Sequence, residues 1–210
     1  MWRIFVGFFD AGDEDALLKS VQNVEGMTCA EIVVAVRRRS GSYRDASLLI
    51  GAACAAATLA FGLFSPWPFS LEWIFVDPIL VGIAAGLGAG YVPALQRWVT
   101  LASERRRRVE VHARSMFVER GIDATTSRTG ILIYLSLLER DACIVADTGV
   151  TARVPAAEWH AAVSEIEQAA RRSKAGAVAH ALSALGPVLE RHLPRSHDDV
   201  NELPDEVSVS

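Results

Sequence analysis

Three acidic residues stand at the ends of apolar, strand-like segments and could supply oxygen ligands to a metal ion. Glu31 enters the run EIVVAV, Asp141 lies in the short turn ERD, and Asp147 follows the run ACIVA. Hard cations such as Ca²⁺ prefer carboxylate oxygens, and carboxylates from neighbouring strand ends can converge on one ion. The three residues are therefore candidate metal ligands, and Asp141 and Asp147 are also candidates for catalysis. The alternative is that all three are ordinary solvated turn residues.

The remaining polar residues give weaker indications of chemistry. Arg128 precedes a predicted strand, where it could hold an anion or cap a turn, and no histidine is placed by sequence to activate Ser136. The chain has no phosphate-binding loop, nucleophile elbow, zinc-protease motif or dinucleotide fingerprint. Its three cysteines and five histidines show no metal-ligand spacing. The strong sequence signals for an enzyme are therefore missing.

Two long apolar segments predict a transmembrane hairpin. Residues 47 to 65 contain no charged residue, and residues 76 to 98 carry only Asp77 near their start and Arg97 near their end. The length of each segment is close to the roughly 20 residues that an α-helix needs to span a bilayer core. A pair of buried helices in a soluble core is the alternative, but a domain of this size could not cover both helices on all sides.

Arginines precede the first predicted span and follow the second, whereas the loop between the spans has none. Because basic residues accumulate on the cytoplasmic side of a membrane, both termini are expected in the cytoplasm and the connecting loop outside it. The net charge of −4 argues against a nucleic-acid binder. The run of four arginines after the second span is therefore interpreted as a membrane anchor. Each arginine near anionic headgroups contributes about 1 kcal/mol of binding free energy. The anchoring residues are Arg105, Arg106, Arg107 and Arg108.

Small residues recur at four-residue spacing in both predicted spans. Such rows let helices approach closely, and self-packing of the hairpin is favoured over dimerisation through the same ridge. The row in the second span is Gly82, Gly86 and Gly90, and the matching row in the first is Ala52, Ala56 and Ala60.

The polar parts of the chain predict an α/β domain that the hairpin interrupts. β-Branched runs at 31–36, 129–138 and 142–147 indicate strands, and the short ERD turn requires the last two to be antiparallel. Helical spacing predicts helices over 13–24, 103–120, 155–172 and 175–193. The expected fold is a small mixed sheet with helices on both faces. The predicted divisions are 10–44 and 102–193 for the domain, 46–101 for the hairpin, and 194–210 for an acidic, disordered tail.

The ordered segments AEIVVAVRRRSG, VHARSMFVERGI, RTGILIYLSLLERDACIVADTGV and SKAGAVAHALSALGPVL resemble those of a TPM domain, in particular its bacterial membrane-protein branch with a hairpin inside the domain. The resemblance implies a compact α/β sandwich. Some members of the family have acid-phosphatase activity or bind calcium, and others act in the assembly or maintenance of membrane complexes. The sequence departs from the family at VADTGV, which lacks the glycine-rich stretch, and at TARVPAAEW, which lacks the paired acids.

Two functions therefore remain open from the sequence. The favoured one is a non-enzymatic module, anchored in the lipid bilayer, whose cytoplasmic domain binds a partner protein. The alternative is a metal-assisted phosphatase that acts on phosphomonoesters, with a divalent cation such as calcium held by Glu31, Asp141 and Asp147.

Overall fold

The computed structural model describes residues 11–172, 175–195, 202–203 and 207–209 of the 210-residue chain. The chain divides into two compact units. The α/β unit consists of Met1–Ser40 together with Arg106–Ser210, and the hairpin unit consists of Gly41–Arg105. The predicted hairpin segment 46–101 lies inside the second unit. The helices and strands, in chain order, are α1 (Ala11–Glu25), β1 (Glu31–Arg37), α2 (Arg44–Phe64), α3 (Leu71–Ala89), α4 (Pro93–Val99), α5 (Ala102–Glu119), β2 (Gly130–Ser136), β3 (Asp141–Ala146), α6 (Thr148–Arg153), α7 (Ala156–Arg172), α8 (Ala175–His192) and β4 (Val207–Val209).

The sheet of the α/β unit is mixed, with the strand order β3-β2-β1-β4. β1 runs parallel to β2 over seven residues, from Glu31 opposite Gly130 to Arg37 opposite Ser136. β3 returns antiparallel to β2, which confirms the prediction from the short turn. The two parallel strands come from opposite sides of the hairpin in the sequence, so the α/β unit forms only when both parts of the chain meet.

Successive side chains of the central strands point to opposite faces of the sheet, which produces two apolar layers. One face of the sheet, including Ile32, Val34 and Ile133, packs against α1, α6, α7 and α8. The opposite face, including Val33 and Tyr134, packs against α5 and the short 3₁₀ turn Ile122–Ala124. Because both faces are covered, β1 and β2 are buried along almost their whole length, as expected for strands with continuous β-branched sequence. The predicted α/β class with helices on both faces is confirmed.

Two elements differ from the sequence-based expectation. Residues 148–153 form α6, a short helix that the sequence did not predict. The tail was expected to be disordered, yet residues 207–209 form β4 and pair with β1 in parallel, because the other edge of β1 is open to a strand. Of the predicted tail, residues 196–201, 204–206 and 210 lie outside the described residues, as do residues 10 and 173–174 of the predicted domain.

The hairpin unit contains two helices that are long and apolar enough to cross a membrane. α2 has 21 residues and α3 has 19, which correspond to helices about 31 Å and 28 Å long. Only 6% of the most apolar window of each helix is buried inside the protein. Large apolar side chains such as Phe64 and Leu87 are exposed instead, which is inconsistent with a pair of soluble core helices.

The second span differs from the predicted range 76–98. α3 begins at Leu71 and ends at Ala89, and a separate short helix, α4, begins at Pro93. Val92 has an extended backbone, with φ −114° and ψ 91°, because a residue before proline is disfavoured in the helical region. The proline therefore divides the predicted span.

Small residues bring α2 and α3 together, as predicted, but not all in the predicted rows. A Cβ on Gly82 would lie 2.9 Å from the Cβ of Ala55, and one on Gly86 would lie 3.3 Å from the carbonyl oxygen of Ser47. Gly51 approaches closest, since a Cβ there would lie 2.6 Å from the carbonyl oxygen of Gly82. The α2 row is thus displaced by one residue from the predicted one. The residues that are exposed rather than packed are Ala52, Ala56, Ala60 and Gly90.

Substitution of Gly82 by alanine is expected to destabilise the hairpin unit by about 1–3 kcal/mol, because its Cβ would overlap Ala55. Gly88→Ala, in the same helix, is the matched control, since a Cβ there meets nothing within 4 Å and alanine favours a helix. Unfolding of both purified variants in mixed micelles, followed by circular dichroism, measures the difference. Equal stability of the two variants would show that the close approach at Gly82 does not hold the hairpin together.

Candidate functional site

The antiparallel pairing of β2 and β3 separates the three predicted metal ligands. Glu31 lies opposite Gly130 at the start of β2, and the Asp147 amide donates to the Gly130 carbonyl oxygen at 2.9 Å. Asp141 lies opposite Ser136 at the other end of β2, about 20 Å along the strand. The three carboxylates therefore cannot share one ion, and the predicted three-ligand site is not formed. Among the residues that the structure describes, no group of three or more His, Cys, Asp or Glu is arranged to hold a metal.

Glu31 contacts the C-terminal segment of the chain. Its Oε1 accepts a hydrogen bond from the Glu202 amide at 3.3 Å, and its Oε2 accepts one from the Leu203 amide at 3.4 Å. The Glu202 side chain in turn accepts from the Thr126 amide at 2.9 Å. These bonds hold residues 202–203 against the start of β1, so Glu31 has a structural role at this end of the strands.

Asp147 caps α6 rather than facing an open site. Its Oδ1 accepts a hydrogen bond from the Thr148 amide at 2.6 Å, and the residue is 4% exposed. Arg128 is its charged partner, with Nε 3.0 Å from Oδ2. The backbone of Arg128 has φ +56°, and its carbonyl oxygen accepts from the Gly149 amide at 2.9 Å. Arg128 and Asp147 therefore fix the start of α6, which agrees with the turn-capping alternative for Arg128.

Asp141 is the centre of a cluster of charged side chains at the other end of the strands, which we call the Asp141 cluster. Arg171 Nε donates to Asp141 Oδ1 at 2.8 Å, and Arg106 Nη1 lies 3.3 Å from the same oxygen. Arg106 also donates to Glu167 Oε1 at 2.5 Å, to Glu110 Oε1 at 2.8 Å and to the Ala142 carbonyl oxygen at 2.5 Å. The cluster joins α5, β3 and α7 and satisfies the Asp141 carboxylate without a metal ion.

Burial and the charges of the Asp141 cluster act together on the pKa values of Arg106 and Cys143. Burial lowers the pKa of Arg106, but its hydrogen bond to Glu167 and the negative charges of Asp141 and Glu167 outweigh burial and leave that pKa above its ordinary value. Burial raises the pKa of the nearby Cys143 thiol to about 11, although Arg106 acts in the opposite direction. Cys143 is therefore a protonated thiol at neutral pH, unsuited to act as a nucleophile.

Arg105 and Arg106, which were predicted to anchor the protein at the membrane, have partners within the protein. Arg106 belongs to the Asp141 cluster, and its side chain is 29% exposed. Arg105 donates to the carbonyl oxygens of Arg97 at 2.5 Å and Thr100 at 2.7 Å, which closes the C-terminal end of α4. Arg107 is exposed and Arg108 is half-buried. The basic run is thus partly structural, since the helix turns successive arginines toward different surroundings.

A buried group of hydroxyls surrounds Glu139 and ties Ser40, which follows β1, to the β2–β3 turn. Glu139 Oε1 accepts from the Ser40 amide at 2.9 Å, and Ser136 donates its hydroxyl proton to Glu139 Oε2. The Ser40 hydroxyl lies 2.7 Å from Ser136 Oγ and 3.0 Å from the Tyr134 hydroxyl. Burial raises the pKa of Tyr134, against the opposing effect of its bond to Ser40, so this hydroxyl stays protonated. All four residues are at most 4% exposed, so Ser136 is inaccessible to a substrate.

Sequence reasoning missed Glu110, Glu167 and Arg171 as partners of the arginine run. The only signal was the four-residue spacing of Arg106 with Glu110 and of Glu167 with Arg171, which places each pair on one helix face. Nothing in the sequence shows that these two helices meet at Asp141.

Comparison with known proteins defines the class of the fold. No protein-family model and no curated protein matches the chain. The NMR structure of BA42 protein from the psychrophilic bacterium Bizionia argentinensis is similar, with a TM-score of 0.58 over 97% of this chain and 96% of that chain, at 16% sequence identity. At this identity the similarity shows the fold alone. The protein is therefore a mixed α/β protein that also contains two candidate membrane-spanning helices.

Replacing Asp141 by asparagine is expected to destabilise the α/β unit by about 1–3 kcal/mol, because Arg106 and Arg171 would lose the anion between them. Glu165→Gln on the exposed face of α7 removes a charge without touching the cluster and serves as the control. Thermal unfolding of the two full-length variants provides the measurement. If Asp141→Asn were as stable as the control, the cluster would not be structural, and its charged groups would be free for another role.

Proposed function

We propose that this protein is a non-enzymatic, membrane-anchored module whose α/β unit binds a partner protein through the outer face of α5. The observation that carries the proposal is the exposure of two apolar side chains on that helix. Val111 is 57% exposed and Val118 is 63% exposed, although both belong to a folded α/β unit. Within the described part of the α/β unit, these are the only large apolar side chains that are exposed in this way.

The exposed valines form one surface with two arginines. The sequence positions of Arg107, Val111, Arg114 and Val118 place them within about 60° on the helix circumference, and all four are exposed. The opposite side of α5 is buried against the sheet through Val109, Ala113, Met116 and Phe117, as the sequence predicted. We call the four exposed residues the α5 surface.

The chemistry of the α5 surface favours an acidic, amphipathic partner. Two valines supply apolar contact, and two arginines supply bidentate donors for carboxylates. A partner helix with apolar residues and acids at matching spacing would fit this surface. An anionic membrane surface presents the same charge, so the test below distinguishes it from a protein.

The geometry gives no support to the phosphatase alternative. A metal-assisted mechanism would require Glu31, Asp141 and Asp147 to reach one ion, but Asp141 lies at the opposite end of the strands from the other two. Each is already bound by amides or arginines of the described chain. The partner-binding role therefore remains the better supported of the two functions that the sequence left open.

The proposed environment is the inner membrane of a bacterium, with both termini in the cytoplasm. Exposed arginines at positions 38 and 39 precede α2, Arg44 is its first residue, and Arg107 follows α4, whereas the loop of residues 65–70 contains no basic residue. This asymmetry supports a loop outside the cytoplasm. The order of the segments and the helices on both faces of the sheet further support a relationship to the TPM family and its sandwich fold. With this relationship we propose a role in assembly or maintenance of a membrane complex.

The α5 surface predicts a specific cross-linking pattern. A photoactivatable amino acid at position 118 of the full-length protein in native membranes should give a discrete protein adduct, and Arg114→Glu should reduce that adduct several-fold by charge reversal. The same probe at the exposed position 161 of α7 should give none. Adducts to lipid instead of protein, or protein adducts equal at both positions, would contradict the proposal.

The proposed orientation predicts labelling of the loop from outside. Ser70→Cys, in spheroplasts of a bacterial host, should react with a membrane-impermeant maleimide, because the loop lacks the positive charges that retain a segment in the cytoplasm. Glu165→Cys in α7 should react only after the membrane is permeabilised. The reverse labelling pattern would show that the hairpin is inserted in the opposite direction.

A further inference from the structure

A groove of about 250 Å³ opens between α2 and α3, beside the loop that joins them. Its lining is mostly aromatic and aliphatic, but it contains one carboxylate, Asp77, in a helix long and apolar enough to cross a membrane. An ionisable residue within such a segment is costly unless it faces a partner, a polar cavity or a ligand. Asp77 forms no ion pair with any other residue that the structure describes, which leaves its charge available to a ligand.

Two further oxygen atoms near Asp77 are suited to accept hydrogen bonds. Thr58 lines the groove and donates its hydroxyl proton to the Cys54 carbonyl oxygen at 2.9 Å, so its oxygen keeps acceptor capacity. Pro78 follows Asp77 inside α3 and has no N–H, so it cannot make the helical bond that the carbonyl of Ile74 would otherwise accept. Ile74 also lines the groove. The residues that line the groove thus carry a carboxylate, a hydroxyl and a helix carbonyl that lacks the bond from Pro78.

The aromatic residues of the groove suit the apolar part of a cation. The rings of Phe61 and Phe69 lie with their centroids 6.0 Å apart, tilted by 55°, and Trp73 lines the same groove. Aromatic faces attract cations, and their area can also cover methylene groups. A divalent metal ion is a poor fit, because it requires several oxygen ligands with more charge than one carboxylate provides.

We propose that this groove binds a primary ammonium group, presented either by a lipid headgroup or by a free amine. The three N–H donors of a primary ammonium match the three kinds of acceptor, and its positive charge matches Asp77. A trimethylated ammonium has the same charge but no N–H, so it would lose these hydrogen bonds. The site lies wholly within the hairpin unit, and its existence does not depend on the partner proposed for α5.

Native mass spectrometry of the full-length protein in detergent, titrated with phosphatidylethanolamine and phosphatidylcholine of identical acyl chains, tests the lipid source. The wild type should hold phosphatidylethanolamine at least about tenfold more tightly, because only this headgroup can donate N–H bonds. A parallel titration with octylammonium and octyltrimethylammonium tests a free amine. Discrimination against the trimethylated compound in either titration supports the site and identifies the source.

Variants then locate the binding in the groove. Asp77→Asn should reduce affinity for the primary ammonium by about tenfold. Glu72→Gln, which removes an exposed carboxylate from the first turn of the same helix, should leave affinity unchanged. Thr58→Val should give a smaller loss, and circular dichroism checks that each variant keeps its helices. Equal binding of primary and trimethylated ammonium by the wild type in both titrations, or wild-type affinity in Asp77→Asn, would overturn the proposal.

Discussion

The parallel pairing of β1 with β2 is the interaction on which the rest of the structure depends. It joins a strand that precedes the hairpin to one that follows it, with seven residue pairs in register from Glu31 with Gly130 to Arg37 with Ser136. Closing so long an intervening segment costs little more than closing a moderate loop, because the entropy cost grows only with the logarithm of length. Both apolar layers and the attachment of β3 and β4 follow from this pairing.

Buried polar contacts reinforce the end of the sheet at the β2–β3 turn. There Glu139 holds Ser40, the last residue of the α/β unit before the hairpin unit, against the turn. Nearby, the Asp141 cluster connects the start of β3 to α5 and α7. An unpaired buried donor or acceptor is costly, so such networks favour one arrangement of the chain. The acids that resemble catalytic residues in the sequence therefore contribute to the assembly of the interrupted domain.

The two units present different surfaces for recognition. The hairpin unit exposes apolar side chains along almost its whole length, as a lipid environment allows, and contains a mostly apolar groove with one carboxylate, Asp77. Among its described residues, the α/β unit exposes only two large apolar side chains, Val111 and Val118 on α5. Each unit has one feature that departs from its own pattern. The hairpin unit has a charged residue in an apolar helix, and the α/β unit has apolar side chains on a polar surface. These two features are the ones that a binding partner would stabilise most.

The sequence by itself determined the elements whose causes are local. Alternating and continuous apolar runs identified β1, β2 and β3, the short turn required β2 and β3 to be antiparallel, and small residues indicated close packing of α2 on α3. Only the tertiary structure decided which charges meet. Asp141 and Asp147 lie six positions apart yet at opposite ends of β3, whereas Arg106 and Glu167, 61 positions apart, are hydrogen-bonded. A charged side chain has many possible partners of equal chemistry, and strand direction and helix packing select among them.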